Sequence, residues 1–213
     1  MPGLYEACQS IGIRFLEPAV GEGVFLVEVL LRKLRMVAKE QSCLIGFENY
    51  SLYALSSLYG VELLEDNARR CVMNLYDTYY NFYKKEASTY GQDMKKNVLE
   101  SAKFIISKNI VHGDFLTRKT SDGEPIIFSE WEITSLQKDD KELLVERTEY
   151  TLDEIFDKAK AGEQLLQQQL ELPFANKVQQ LELPFFSTED FDNWKKPKKT
   201  MKMPITEVFK GDK

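Results

Sequence analysis

The chain has 213 residues, of which 43% are hydrophobic and 29% charged, a composition typical of a folded globular protein. Its length excludes two full-sized domains, and its composition excludes disorder of the whole chain. A formal net charge of −6 argues against a uniformly basic surface for polyanions. Without an apolar run of roughly 20 residues or a basic and apolar start, we expect neither a membrane span nor a signal peptide, and we expect a cytoplasmic protein.

The first half of the chain alternates between short apolar runs and amphipathic segments with helical spacing. Residues 41–57 look like an irregular insertion, and Asp66 is placed to cap the second helix. The alternation predicts an α/β fold with a mostly parallel sheet flanked by helices. The predicted strands are 11–16, 58–63 and 109–111, and the predicted helices are 24–37, 66–85 and 94–107.

The second predicted helix carries an aromatic stripe. Tyr76, Tyr79, Tyr80 and Tyr83 fall on one face because they are three or four residues apart. Packing against the sheet is the favoured interpretation, and a stacking platform for nucleic-acid bases is the alternative.

The pattern changes in the second half of the chain. Residues 125–132 and 143–150 predict β-strands that suit antiparallel pairing, and 152–160 predict a short helix. From Gly162 onward the chain is rich in Gln, Pro and Lys, which bury too little apolar area to offset the entropy of ordering. We therefore divide the chain into a domain, 1–161, and a flexible tail, 162–213.

The end of this tail is basic. Between Lys195 and Lys213 there are seven lysines and two acidic residues, a local balance of +5. A solvated tail is the favoured interpretation, and contact with DNA phosphates is the alternative.

The tail also contains an internal repeat, QLELPF at 169–174 and again at 180–185. The repeat is similar to the short peptide by which bacterial polymerases and repair proteins dock on the sliding clamp, and two copies would raise the effective concentration at a ring with several sites. A duplicated linker without function is the alternative. The residues assigned to clamp docking are Gln169, Leu170, Leu172, Phe174, Gln180, Leu181, Leu183 and Phe185.

A glycine turn joins the first predicted strand to the first predicted helix, with the sequence EPAVGEGVFL at 17–26. Gly21 and Gly23 let the backbone approach a ligand closely, and the following helix offers free amides and a positive dipole end. A tight turn with no ligand accounts for the glycines equally well.

Residues 15–26 resemble motif I of the bacterial adenine-specific DNA methyltransferases of restriction-modification systems. Val20 and Glu22 stand where that family usually has a cysteine and a small hydroxyl residue. Glu62, which closes the second predicted strand, resembles the acid of motif II, and Asp114 resembles the aspartate of the next motif. The motifs follow the family's order, and the stretch 14–131 is similar to restriction-system modification subunits and phage DNA methylases.

The resemblance implies a Rossmann-like class I methyltransferase fold, here incomplete, with S-adenosylmethionine as cofactor. Glu62 would accept from the ribose hydroxyls, Asp114 would accept from the adenine amino group, and Phe115 would pack on the adenine ring. The family places no catalytic base at His112. The residues assigned to the cofactor site are Glu17, Pro18, Ala19, Gly21, Gly23, Phe25, Glu62, Leu63, Asp114 and Phe115.

The family's target-base motif, Asn or Asp followed by Pro-Pro and an aromatic residue, is missing, since no Pro-Pro occurs in the chain. No catalytic residue or metal ligand is assigned, and the three cysteines form no CxxC pair. Three hypotheses remain: an adenine-N6 DNA methyltransferase completed by a partner subunit or a divergent loop, a non-catalytic cofactor-binding subunit, and an interaction protein recruited to DNA through its tail.

Overall fold

A computed structural model describes residues 11–136, 142–157 and 201–211 of the chain. These residues form a mixed α/β fold with two sheets. The helices are α1 (Val24–Glu40), α2 (Leu44–Ser56), α3 (Glu65–Thr89) and α4 (Lys96–Asn109). The strands are β1 (Phe15–Glu17), β2 (Leu58–Glu62), β3 (Ile110–Asp114), β4 (Lys119–Thr120), β5 (Ile127–Leu136), β6 (Leu143–Thr151) and β7 (Met201–Pro204), followed by a 3₁₀ helix, Ile205–Lys210.

The first sheet has the strand order β1-β2-β3-β4. β1, β2 and β3 are parallel and β4 is antiparallel to β3. Glu17 lies opposite Gly60, and Glu62 lies opposite His112. Since parallel strands end at the same edge of a sheet, the residues that follow β1, β2 and β3 are neighbours there. The three predicted strands of the first half are therefore confirmed, with shifted ends.

Helices cover one face of this sheet. Leu26, Leu30 and Leu34 recur every four residues along α1 and are fully buried, each contributing about 1.5–3 kcal/mol of hydrophobic stabilisation. Tyr79 and Tyr83 of α3 are also fully buried. The aromatic stripe of α3 thus packs into the core through these two tyrosines, which contact Ser51 and Glu48 of α2. The favoured burial is confirmed, and its packing against the sheet stays a prediction.

The other face of the first sheet is covered by β5 and by the helical residues 152–157, so the predicted flanking by helices holds fully for one face and only in part for the other. Tyr59 and Val61 of β2 pack there against Ile126 and Phe128. The Tyr59 hydroxyl also donates to the backbone oxygen of Ser129 at 3.1 Å. Side chains alternate between the two faces of a strand, and so β2 is buried on both.

The second sheet is antiparallel, with the order β5-β6-β7. The antiparallel pairing proposed for the two strands of the second half is confirmed. β7 and the 3₁₀ helix were not predicted, because residues 201–211 were placed in the flexible tail. They instead pack on the domain, where Ile205 and Val208 are buried.

Two further expectations from the sequence were wrong. Residues 44–56, within the segment interpreted as an irregular insertion, form helix α2. Asp66 does not cap α3, because the helix begins at Glu65 and Leu64 occupies the cap position without a side-chain hydrogen bond. Among the described residues, none of the helices combines the length and the apolar character needed to cross a membrane.

Candidate functional site

The glycine loop between β1 and α1 lies across the end of β2. The amide of Val20 donates to the carbonyl of Val61 at 3.0 Å, and the amide of Gly23 donates to the carbonyl of Val20 at 2.8 Å. Gly21 and Gly23 have φ values of 55° and 83°, in the left-handed region that favours glycine. Gly23 occupies the cap position of α1 without a side-chain cap. The loop therefore presents the amino end of α1 at the strand ends.

Glu62 links this loop to the next strand end. Its side chain is almost buried, at 7% exposure. One carboxylate oxygen accepts from the amide of Gly21 at 2.7 Å, and the other accepts from the amide of Leu64 at 3.0 Å. A carboxylate oxygen has two lone pairs. Each oxygen thus has one lone pair that these two hydrogen bonds do not use.

Glu22 lies inside the loop, but its carboxylate is turned toward α3. Its Oε1 accepts from Nη1 of Arg70 at 2.5 Å, and its backbone oxygen accepts from the side-chain amide of Asn74 at 2.9 Å. The negative charge of Glu22 is therefore paired with Arg70 rather than directed at the strand ends.

Glu17 ends β1 beside the loop. Its Oε2 is shielded from solvent and accepts no hydrogen bond from the described residues. Burial raises the pKa of this carboxyl to about 7 from its ordinary value of 4.5. The pKa of the buried Cys71 thiol rises to about 12, mainly through burial and further through the charges of Glu17 and Glu62. Two carboxylates thus lie near one another at this edge, and one of them has an unused buried acceptor.

The carboxyl of Glu17 predicts a pH dependence of stability. Because its folded pKa is raised, its contribution is fully present below about pH 4.5 and is lost as the pH rises through about 7. We expect Glu17→Gln to remove this loss, so that the variant gains stability relative to wild type between pH 5 and pH 8. Urea unfolding at both pH values measures the difference. Glu65→Gln, on the exposed start of α3, is the control; if Glu17→Gln follows the wild-type pH profile, Glu17 is not the titrating group.

Asp114 ends β3, next to the end of β2. Its Oδ1 accepts from the amide of Leu116 at 2.8 Å, which shapes the turn after the strand. The ring of Phe115 packs edge-to-face on Phe156, with 5.6 Å between the centroids. Phe115 therefore contributes to the core beneath the sheet, and its stacking on a ligand ring stays a prediction.

Exposed apolar side chains surround this edge of the sheet, and they belong to the start of α1 and to the residues just after β2 and β3. A patch of this kind suits a flat apolar ligand or a protein contact. The sequence analysis selected Phe25 and Leu63 but missed Leu64 and Leu116. Leu64 could have been found, because it forms a leucine pair with Leu63 directly after the acidic end of β2. The exposed members are Val24 (77%), Phe25 (39%), Leu63 (64%), Leu64 (60%) and Leu116 (89%).

The structure brings Gly21, Glu62 and Asp114 to one edge of the sheet, whereas Phe115 packs beneath it. Gly21 and Glu62 are in direct contact, and Asp114 ends the adjacent strand. Pro18 and Ala19 are exposed in the glycine loop. The residues assigned to clamp docking, and the repeats that contain them, lie outside the described residues.

Comparisons of the chain with protein-family models, with curated proteins and with solved structures each found no match.

Proposed function

We propose that the chain is a cofactor-binding methyltransferase component with a Rossmann-like class I arrangement. More specifically, we propose an S-adenosylmethionine-dependent DNA methyltransferase of the adenine-N6 type, or the modification subunit of a restriction-modification system. The observation that carries the proposal is the carboxylate of Glu62, which bridges Gly21 of the glycine loop and Leu64 after β2. This contact supports one nucleoside site formed by consecutive strand ends.

The charges at the strand ends support a cationic nucleoside over a nucleotide. An open helix start beside a glycine loop suits phosphate, but the carboxylate of Glu62 would repel one here, and Glu17 would add to this repulsion as the pH rises through its raised pKa of about 7. The guanidinium of Arg70 is paired with Glu22. S-adenosylmethionine carries a sulfonium and an ammonium group, and so a negative site favours it.

The chemistry of each group of this cofactor has a counterpart at the site. Glu62 retains acceptor positions for two ribose hydroxyls, and Asp114 offers a carboxylate for the adenine amino group. Leu63 offers an apolar surface to the adenine ring. The ammonium of the methionine part is assigned to the carboxyl of Glu17, whose shielded Oε2 must become accessible when the cofactor binds.

The position of β1 supports an incomplete catalytic site. In open α/β sheets, ligands bind outside the carboxyl ends of the strands, at a point where the strand order reverses. In the described sheet β1 is an edge strand, and β2 and β3 lie on one side of it. These residues form one side of a cleft, and a partner subunit or a further part of the chain would supply the other side with the target-base motif. DNA is the proposed substrate.

Titration calorimetry with S-adenosylmethionine and S-adenosylhomocysteine tests the cofactor. We expect binding in the micromolar range, weakened in Glu62→Ala and Asp114→Ala by about 1–3 kcal/mol each, because each loses an acceptor for a polar cofactor group. Glu65→Ala, which removes an exposed carboxylate three residues from Glu62, is the matched control. If wild type and the three folded variants bind with equal affinity, the assigned site is wrong.

An assay of methyl transfer to DNA then separates an enzyme from a non-catalytic cofactor-binding subunit. Transfer by the chain alone supports a divergent target-base loop. Cofactor binding without transfer supports a subunit that needs a partner. The third hypothesis, recruitment to DNA through clamp-docking peptides, depends on the repeats of the tail and stays a prediction.

A further inference from the structure

His112 is the one histidine of the chain, and it lies near the carboxyl end of β3. His112 lies on β3 directly opposite Glu62 of β2. Its Nε2 lies 3.1 Å from the backbone oxygen of Leu63. A carbonyl oxygen only accepts hydrogen bonds, and so Nε2 carries the proton and donates. The contact joins the end of β3 to the residue that follows β2.

Glu62 and His112 hold the same peptide group from opposite sides. The carbonyl of Leu63 and the amide of Leu64 form one planar unit. The amide donates to Glu62 at 3.0 Å and the carbonyl accepts from His112. With both ends bonded, the rotation of this peptide plane is fixed. The backbone at Leu63, and with it the Cα–Cβ bond of a side chain that is 64% exposed, is held in place.

We propose that His112 is a positioning residue that holds Leu63 as the apolar wall for the adenine ring of the bound nucleoside. The inference rests on the proposed cofactor site, which it deepens. His112 touches neither the cofactor nor the reacting atoms in this role. A preorganised wall loses less conformational entropy when the ligand binds, which strengthens binding.

A first experiment needs no ligand. Because the chain has a single histidine, its imidazole nitrogens give one pair of signals in ¹⁵N NMR, and we expect the Nε2-protonated tautomer. We expect hydrogen exchange at the Leu64 amide to be faster in His112→Asn than in wild type. His112→Gln should keep the slow exchange, because the amide nitrogen of glutamine reaches the place of Nε2 whereas that of asparagine does not.

A second experiment measures affinity for S-adenosylhomocysteine by calorimetry in the same proteins. We expect His112→Asn to bind about three- to tenfold more weakly, the range for one hydrogen bond in a partly exposed position, and His112→Gln to bind close to wild type. If His112 acts through Leu63, the effect of His112→Asn will largely disappear in a Leu63→Ala background. A general loss of structure would reduce thermal stability and would not be rescued by glutamine.

The outcomes separate this inference from the proposed function. If wild type binds and His112→Asn binds equally well, or if its effect is unchanged in the Leu63→Ala background, the positioning role is overturned. If wild type binds neither S-adenosylmethionine nor S-adenosylhomocysteine, the proposed cofactor is overturned and the role fails with it. The exchange data would then still report whether His112 holds the 63–64 peptide.

Discussion

Replacement of Lys33 by methionine is expected to lower the free energy of unfolding by about 3–5 kcal/mol. Lys33 lies on α1 and is fully buried. Its ammonium donates to the carbonyls of Ile11 and Ile13 and to the hydroxyl of Ser57. Methionine replaces most of the side chain, one heavy atom shorter, but leaves these acceptors without their donor. Part of the loss is offset, because the cost of removing the ammonium from water also disappears.

Urea unfolding of Lys33→Met against Lys39→Met measures this effect. Lys39 lies on the same helix but is exposed, and so its replacement should change stability by no more than about 0.5 kcal/mol. Proteolysis of the folded proteins gives a second readout, since the segment that contains Ile11 and Ile13 should become more accessible when its tie to α1 is lost. Equal unfolding midpoints for the two variants would show that the buried ammonium contributes no net stability.

The helices α1, α3 and α4 could be predicted from the sequence because each buries one face and exposes another. Helix α2 could not, since it is buried on most sides and has no apolar stripe. Its buried Glu48 accepts from the hydroxyl of Tyr83 at 2.5 Å and from the ammonium of Lys95 at 2.6 Å. These partners are 35 and 47 residues away in the chain. The segment therefore lacked a helical pattern and was interpreted as an irregular insertion.

The end of the chain was assigned wrongly for a related reason. A lysine-rich composition predicts a solvated tail. In the structure, however, the ammonium of Lys202 lies 3.7 Å from the carboxylate of Glu146 on β6. The residues that fix the segment are fewer: Ile205 and Val208, buried with the core, and the pairing of β7 with β6. Two apolar side chains in a basic run carry little weight in an average over composition, although they decide where the segment packs.

The part of the candidate site that depends on residues next to a strand end could be predicted from the sequence. Gly21, Glu62 and Asp114 each follow or close an apolar run, and parallel strands bring such positions together. The hydrogen bond between His112 and Leu63 was not readable, because it depends on the register between β2 and β3. Registers of parallel strands are set by packing over the whole sheet, and the sequence near either strand does not specify them.

The two glycines of the loop are expected to respond differently to the same substitution. A Cβ at Gly23 would lie 2.6 Å from the Sγ of Cys71, at a φ of 83°. We expect Gly23→Ala to lower the free energy of unfolding by about 2–4 kcal/mol, from left-handed strain and overpacking together. A Cβ at Gly21 would meet no atom within 4 Å. Gly21→Ala should cost only the conformational strain, about 1 kcal/mol.

For cofactor binding, Gly21→Ala should have the larger effect and Gly23→Ala the smaller one. The Cβ at Gly21 would project into open space, beside the amide that Glu62 holds, and so Gly21→Ala should weaken binding of S-adenosylhomocysteine at the proposed site. The Cβ at Gly23 would lie against Cys71 of α3, and the fraction of Gly23→Ala that remains folded should bind nearly as wild type. Cys71→Ala in the Gly23→Ala background should recover part of the lost stability, because it removes the closest contact. Urea unfolding measures the stability, and calorimetry the affinity, of wild type, the two single variants and the double variant. If stability and affinity fall together in both single variants, the glycines serve only the turn.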